Sequence, residues 1–218
     1  TTVATNALLE RRGAATAFVT NAGFEDIIAI GRQNRPDLYD LASRKEPCLV
    51  PEELRFGAPG RVSAEGKVIE ELSVEAAREL ATRVAASGAD SVAVCLLFSF
   101  LVPEHEQLLG EALAEAGLSV SLSSDILAEF REFERAATTV ANAYVAPVMR
   151  AYLGRLTAGL AEGAQLCVMQ SSGGLICADT ARREPVRTVL SGPAGGVVAA
   201  LAVGKASGFD KLITFDMG

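Results

Sequence analysis

The sequence has a single histidine, His105. A Ser-His-Asp centre within it is therefore disfavoured, because the base of such a triad would have to be that one side chain. Four cysteines are present, Cys48, Cys95, Cys167 and Cys177, and none forms a CxxC pair. With one histidine and no ligand cluster, a zinc site is disfavoured too. Positive charge is in short supply: 20 Lys and Arg stand against 27 Asp and Glu, a net charge of −7. Such a surface repels phosphate backbones and anionic lipid, so neither nucleic acid nor a membrane surface is an expected partner. No apolar run approaches the roughly 18–20 residues that span a bilayer. The longest, "SVAVCLLFSFLV" from Ser91 to Val102, reads as a buried strand. No signal peptide is expected; the sequence carries no initiator methionine and opens in mid-pattern at "TTVATNALLERRG". The expectation is an excised piece of a longer cytoplasmic protein with reduced thiols.

What is present is a globular α/β pattern. Half of the 218 residues are hydrophobic, enough for one large domain or two small ones. "TTVATNALLERRG" predicts a helix with Thr1 or Thr2 at its start and Gly13 at its stop. Ala14–Thr20 predicts a strand and Gly23–Gly31 a short helix. Arg32–Leu41 is polar and reads as an ordered loop, and Arg61–Leu72 as a hairpin turning at Glu65-Gly66. Ser73–Gly88 predicts a capped helix, Ser91–Phe98 a strand buried on both faces, and Pro103–Gly117 a second helix. Leu118–Ser123 is another strand, and the order argues for a mainly parallel layer. A long helix from about Glu134 to Glu162 follows, kinked or broken at Pro147. Strands are expected at Gln165–Gln170, Pro185–Leu190 and Leu212–Phe215, with a small-residue helix over Ser191–Gly208. A domain boundary is expected between residues 1–145 and 146–218.

The last run, "KLITFDMG", predicts a buried strand delivering Asp216 into a glycine loop. Backbone N–H groups of such a loop cradle phosphate oxygens. The acidic residue can hold magnesium through water or orient an attacking water. An ordinary α/β crossover with a glycine turn has the same spacing, and "DMG" alone does not decide between the two.

Resemblance narrows the choice. "PAGGVVAALAVGKASGFDKLITFDMG" is similar to the stretch of actin-like ATPases that leads into their second phosphate loop. More specifically, five segments in order resemble the hydantoinase A / 5-oxoprolinase family, which includes acetone and acetophenone carboxylase subunits. They are Thr1–Gly13, Arg32–Leu41, Glu129–Pro147, "MQSSGGL" (Met169–Leu175) and "SGPAGGV" (Ser191–Val197). The resemblance implies an actin-like ATPase (ribonuclease H-like) α/β fold with flanking helices, present as a fragment that ends inside the second phosphate loop. It implies ATP and Mg²⁺ as cofactors and a cyclic amide, such as a hydantoin or 5-oxoproline, or a ketone as substrate. It also implies a hydantoinase B-type partner subunit or fused domain. The nucleotide residues it points to are Asp216, Gly218, Gly192 and Gly195, with Asp216 catalytic and near Mg²⁺.

Other residues keep two readings. Arg32, Asn34, Arg35 and Asp37 are either a self-paired surface loop or a donor cluster for a carboxylate, imide or phosphate. Thr1, Thr2, Thr5 and Asn6 either cap a helix or face an anion at its start. "EFREFER", Glu129–Arg135, reads as a helix with a packed stripe and solvated ion pairs, or as an interface. Ser171–Gly174 is a plain turn or an anion-binding one. His105 is expected to be a solvated helix residue.

Overall fold

The computed structural model describes every residue except 35, 36, 38, 41, 43, 44, 162 and 216–218. Two compact units emerge: residues 14–147, and residues 1–13 together with 148 onward. In chain order the elements begin with α1 (Val3–Leu9), β1 (Thr16–Asn21), α2 (Ile27–Ile30), β2 (Arg55–Ala58), β3 (Arg61–Val62), β4 (Val68–Glu70) and α3 (Val74–Ala86). They continue with β5 (Ser91–Val94), α4 (Glu104–Glu115), β6 (Ser119–Leu122), α5 (Ser123–Ile126) and α6 (Glu132–Ala158). Last come β7 (Cys167–Met169), β8 (Leu175–Cys177), α7 (Ala178–Arg183) and α8 (Ser191–Ala206).

The unit 14–147 is built on a parallel sheet in the order β2-β1-β5-β6. The register pairs Val19 with Phe56 on one side and with Val94 on the other. All six residues of β1 and all four of β5 are buried, as expected for strands covered on both faces. Ala17, Val19, Val92 and Val94 face Leu80, Val84, Leu109 and Leu113 of α3 and α4. Phe18, Ala93 and Cys95 face Ala136, Val140 and Ala143 of α6. Each fully buried Val, Leu or Phe contributes about 1.5–3 kcal/mol, and this double-sided core fixes where the strand ends lie. Helix α3 starts as expected: the Ser73 hydroxyl accepts from Ala76 N at 3.1 Å. Gly88, at φ +82, supplies the left-handed residue after its C-cap.

In the other unit the antiparallel β7–β8 hairpin lies against α7 and α8, α1 lies against the Pro185–Thr188 turn, and Ala4, Ala7, Met149, Leu153, Val168 and Ala181 are buried.

Several expectations are corrected. Helix α1 stops at Leu9 rather than near Gly13, because Arg11 takes the left-handed conformation itself, at φ +53. Arg11 N donates to Leu8 O and Arg12 N to Ala7 O, the paired bonds that close a helix end. Strand β5 ends at Val94, and a tight loop with Phe98 at φ +61 follows. Of the kink or break expected at Pro147, the break does not occur: helix α6 continues through it. A mid-helix proline costs about 3 kcal/mol, and buried residues on both sides of it, among them Val140, Ala143, Met149 and Leu153, outweigh that. Residues 185–190 form no strand. Pro185–Thr188 is a 3₁₀ turn, closed by the Thr188 hydroxyl donating to Pro185 O at 2.7 Å. Leu212–Phe215 also forms no strand. No described residue pairs with it, and Ile213 and Phe215 are 100% and 87% exposed. Without a neighbour to take its N–H and C=O groups, an apolar run gains nothing from the extended ladder.

Candidate functional site

Two places gather the residues that the sequence singles out. The first lies at the carboxyl ends of β1 and β5. The chain leaves β1 for β2 on one side, and β5 lies on the other. This is the switch point where open α/β sheets form a crevice. Asn21, the last residue of β1, is 3% exposed and its side chain ties two loops to the strand end. Its Nδ2 donates to Gly60 O at 2.8 Å, and its Oδ1 accepts from Leu97 N at 2.7 Å. Beside it opens a cavity of about 420 Å³, walled by Phe24, Ile27, Ile30, Leu97 and Phe133, with Asp26, Arg32 and Glu132 as its charged members.

Arg32 is engaged there. Its Nε donates to Glu134 Oε1 at 2.8 Å and its Nη2 to Oε2 at 2.7 Å, a bidentate fork across 102 positions of sequence. That hydrogen bond holds the Glu134 carboxyl below its ordinary pKa. Self-pairing of Arg32 within its own loop is thus replaced by a partner on α6. Asn34 is exposed, and Asp37 Oδ1 accepts from Tyr39 N at 2.9 Å. Arg35 lies outside the described residues. Both members of the fork are solvent-accessible, so screening keeps its share of stability small. Arg32→Ala is expected to leave the melting temperature unchanged while the Glu134 pKa rises toward the ordinary carboxylate range. A carboxyl NMR titration that finds Glu134 unmoved would refute the fork.

The second place is in the other unit, where the starts of α1 and α8 meet. Leu190, left-handed at φ +60, donates its N–H to Thr5 Oγ1 at 2.9 Å. The Ser191 hydroxyl donates to Thr1 O at 3.3 Å. A left-handed non-glycine residue costs about 1–2 kcal/mol, and these two bonds hold it in place. Thr2 and Asn6 are exposed, and Thr2 sits at the N-cap with no side-chain cap bond. Gly192 is exposed, with open space where a Cβ would stand, whereas a Cβ on Gly195 would lie 3.6 Å from Met169 Cγ. Asp216 and Gly218 lie outside the described residues.

A set of buried polar groups escaped the sequence reading. Glu106 on α4 is fully buried, accepting from Leu96 N, Ser123 Oγ and Ser124 N at 2.7–2.9 Å. Arg135, expected on a solvated face, is 1% exposed and donates to Ser99 Oγ and Leu96 O. Burial pushes the neighbouring Cys95 thiol up to about 12. His105 is also buried rather than solvated, its Nε2 3.3 Å from Leu72 N and 3.4 Å from Glu71 Oε2. The signal was there: Glu106 sits on the same stripe as Leu109, Gly110 and Leu113, at helical spacing. Among the described residues no group of three or more His, Cys, Asp or Glu is placed to hold a metal, and no helix is long and apolar enough to cross a membrane.

Comparison with known proteins agrees with this architecture. The chain is 35% identical to 5-oxoprolinase of Saccharomyces cerevisiae, over 100% of its own length and 19% of that protein's. The crystal structure of the ATP-dependent caprolactamase from Pseudomonas jessenii superposes with a TM-score of 0.87 at 32% identity, covering 100% of this chain and 33% of that one. A nucleotide-free acetone carboxylase structure gives 0.82 at 28% identity, over 94% of this chain and 31% of its own. The chain therefore spans about a fifth to a third of these relatives. With these neighbours, its mainly parallel sheet and flanking helices are the actin-like ATPase fold. Residues 1–117 match the hydantoinase/oxoprolinase N-terminal region, residues 135–218 match hydantoinase/oxoprolinase, and the chain belongs to that family.

Proposed function

We propose that the protein carrying this chain is an ATP-dependent enzyme that opens a cyclic amide of the hydantoin or 5-oxoproline type. The observation that carries this is likeness over the whole of this chain, at 35% and 34% identity, to part of two relatives named for lactam substrates, 5-oxoprolinase and caprolactamase subunit alpha. The acetophenone carboxylase gamma subunit is matched at 29%.

ATP, when bound, supplies a phosphoryl group that turns a substrate oxygen into a leaving group and makes the carbonyl carbon electrophilic. The residues present fit a polyphosphate. The first turn of α8 has an open, exposed Gly192, and orphan N–H groups at a helix start favour anions. Pro193 contributes no N–H there, so Gly192 is the helix-start donor assigned to the nucleotide, with Gly195 assigned for its missing side chain and Gly218 and Asp216 alongside them. Mg²⁺ is held by one or two carboxylates plus phosphate oxygens rather than by a protein cage, so Asp216 suffices on the protein side. Thr2, Asn6, Arg32, Asn34 and Arg35 are the substrate-side candidates. Arg32 enters this role with its fork already set by Glu134. A hydantoinase B-type subunit or fused domain would complete the active site. The four free thiols accord with a cytoplasmic setting.

The test is phosphate release by the full-length protein with its partner subunit, given 5-oxoproline, hydantoin, caprolactam, or acetone with bicarbonate. Release stimulated by a cyclic amide, with ring-opened product, is the expected result. Stimulation by acetone alone would make it a ketone carboxylase. Nucleotide binding without turnover on any of them would make it a binding module.

A further inference from the structure

Two of the four cysteines face each other. In the β7–β8 hairpin Cys167 pairs with Cys177, Val168 with Ile176, and Met169 with Leu175. The ladder bonds run from Gln170 N to Gly174 O and from Ala178 N to Leu166 O. Hydrogen-bonded pairs alternate along an antiparallel ladder, so Cys167 and Cys177 occupy a non-hydrogen-bonded pair. Facing Cα atoms at such pairs stand about 4.5 Å apart. A disulfide takes Cα separations of about 4.4–6.8 Å, so this site reaches it without moving the backbone. Both cysteines are exposed and free, and their side chains project from the same face of the hairpin.

We propose that Cys167 and Cys177 are a redox-modification site that closes to a cross-strand disulfide when the protein meets a peroxide. Cys177 is the attacking thiol. The Thr180 hydroxyl, 3.2 Å away, and the Thr180 N–H hold its pKa below that of an ordinary thiol. The Cys177 thiolate attacks one peroxide oxygen; an S–O bond forms, the O–O bond breaks, and the departing hydroxide takes a proton and leaves as water. The Cys167 thiol loses its proton and attacks the sulfenic sulfur. The S–S bond forms, the S–O bond breaks, and a second water leaves. Two thiols and one hydrogen peroxide give one disulfide and two waters. On the same face Met169 packs beside Gly195, so the disulfide pins the hairpin that seats the first turns of α8.

The experiment treats the full-length protein with stoichiometric hydrogen peroxide, alkylates it, and maps tryptic peptides. Cleavage after Arg155 and Arg182 leaves both cysteines in one peptide. That peptide is expected two hydrogens lighter and closed to alkylation, with both thiols returned by dithiothreitol. Cys95 should be unmodified until the protein is unfolded. In Cys167→Ser, Cys177 should accumulate as a sulfenic acid that dimedone traps. Two alkylatable thiols in the native protein after peroxide would overturn the proposal. So would sulfinic acid at Cys177 of the unsubstituted protein, or a Cys167→Ser variant without a dimedone adduct.

Discussion

Glu106→Ala is expected to lower the melting temperature by roughly 6–20 °C. The carboxylate is fully buried on α4. Its Oε1 accepts from Leu96 N at 2.8 Å and Ser123 Oγ at 2.7 Å, and its Oε2 accepts from Ser124 N at 2.9 Å. Ser123 Oγ lies 3.1 Å from Ser99 Oγ, which accepts from Arg135 Nη1 at 2.7 Å. Two buried charges are thus joined through two hydroxyls, and Arg135 also lies over the Phe100 ring, 5.2 Å to its centroid. Arg135 Nε has no hydrogen-bond partner, so the guanidinium is already under-satisfied. Removing the carboxylate strips two backbone N–H groups of their acceptor and leaves a buried cation uncompensated. Breaking a buried pair from one side costs about 3–5 kcal/mol. At about 2–4 °C per kcal/mol for a chain of this size, that gives the range stated. The paired variant Glu106→Leu with Arg135→Met should recover most of the loss, because two apolar side chains leave no charge stranded. A single variant that melts within about 2 °C of the parent, or a pair no better than the single, would show that the network does not carry stability.

That network also shows where sequence reading succeeds and where it stops. Three of the four strands of the sheet were legible, β2 at Arg55–Ala58 being the one that was not. β1 and β5 are short apolar stretches without alternation, and such runs mean burial on both faces. Helix α3 was legible because Ser73 and Gly88 bracket it. Arg135 was not, because a charged residue amid "EFREFER" is priced as solvated. Only the fold brings Ser99 and Leu96 O to meet it, 36 and 39 positions away. The same holds for Arg32 and Glu134, whose fork leaves no local trace. Pro185–Leu190 misled in the opposite way. It has strand composition, but Pro185 begins a turn that Thr188 closes on itself. Of the candidate site, the polar loop and the small-residue helix were visible as segments. What joins Thr5 to Leu190, or Asn21 to Gly60 and Leu97, is tertiary.

On the proposed ATP-dependent function, Asp216→Asn in the full-length protein is expected to lower turnover by roughly two to four orders of magnitude, the scale of losing a principal electrostatic or acid–base group. The change is nearly isosteric, so what is removed is charge. An amide oxygen is a neutral ligand where phosphates and a divalent cation need a carboxylate to balance them and to order the surrounding water. The proposal fixes which parameter should move. If Asp216 organises the cation against the phosphates, kcat falls while the melting temperature stays put, and raising magnesium recovers part of the loss by mass action. If Asp216 merely tied down its own loop, stability would fall and kcat per folded molecule would not. The measurements are thermal melts, phosphate release across a magnesium titration, and nucleotide affinity by calorimetry on the same preparations. Turnover within about threefold of the parent, on the scale where tenfold is 1.36 kcal/mol, would remove Asp216 from the chemistry. The cyclic-amide reading would then have to rest on other acidic groups.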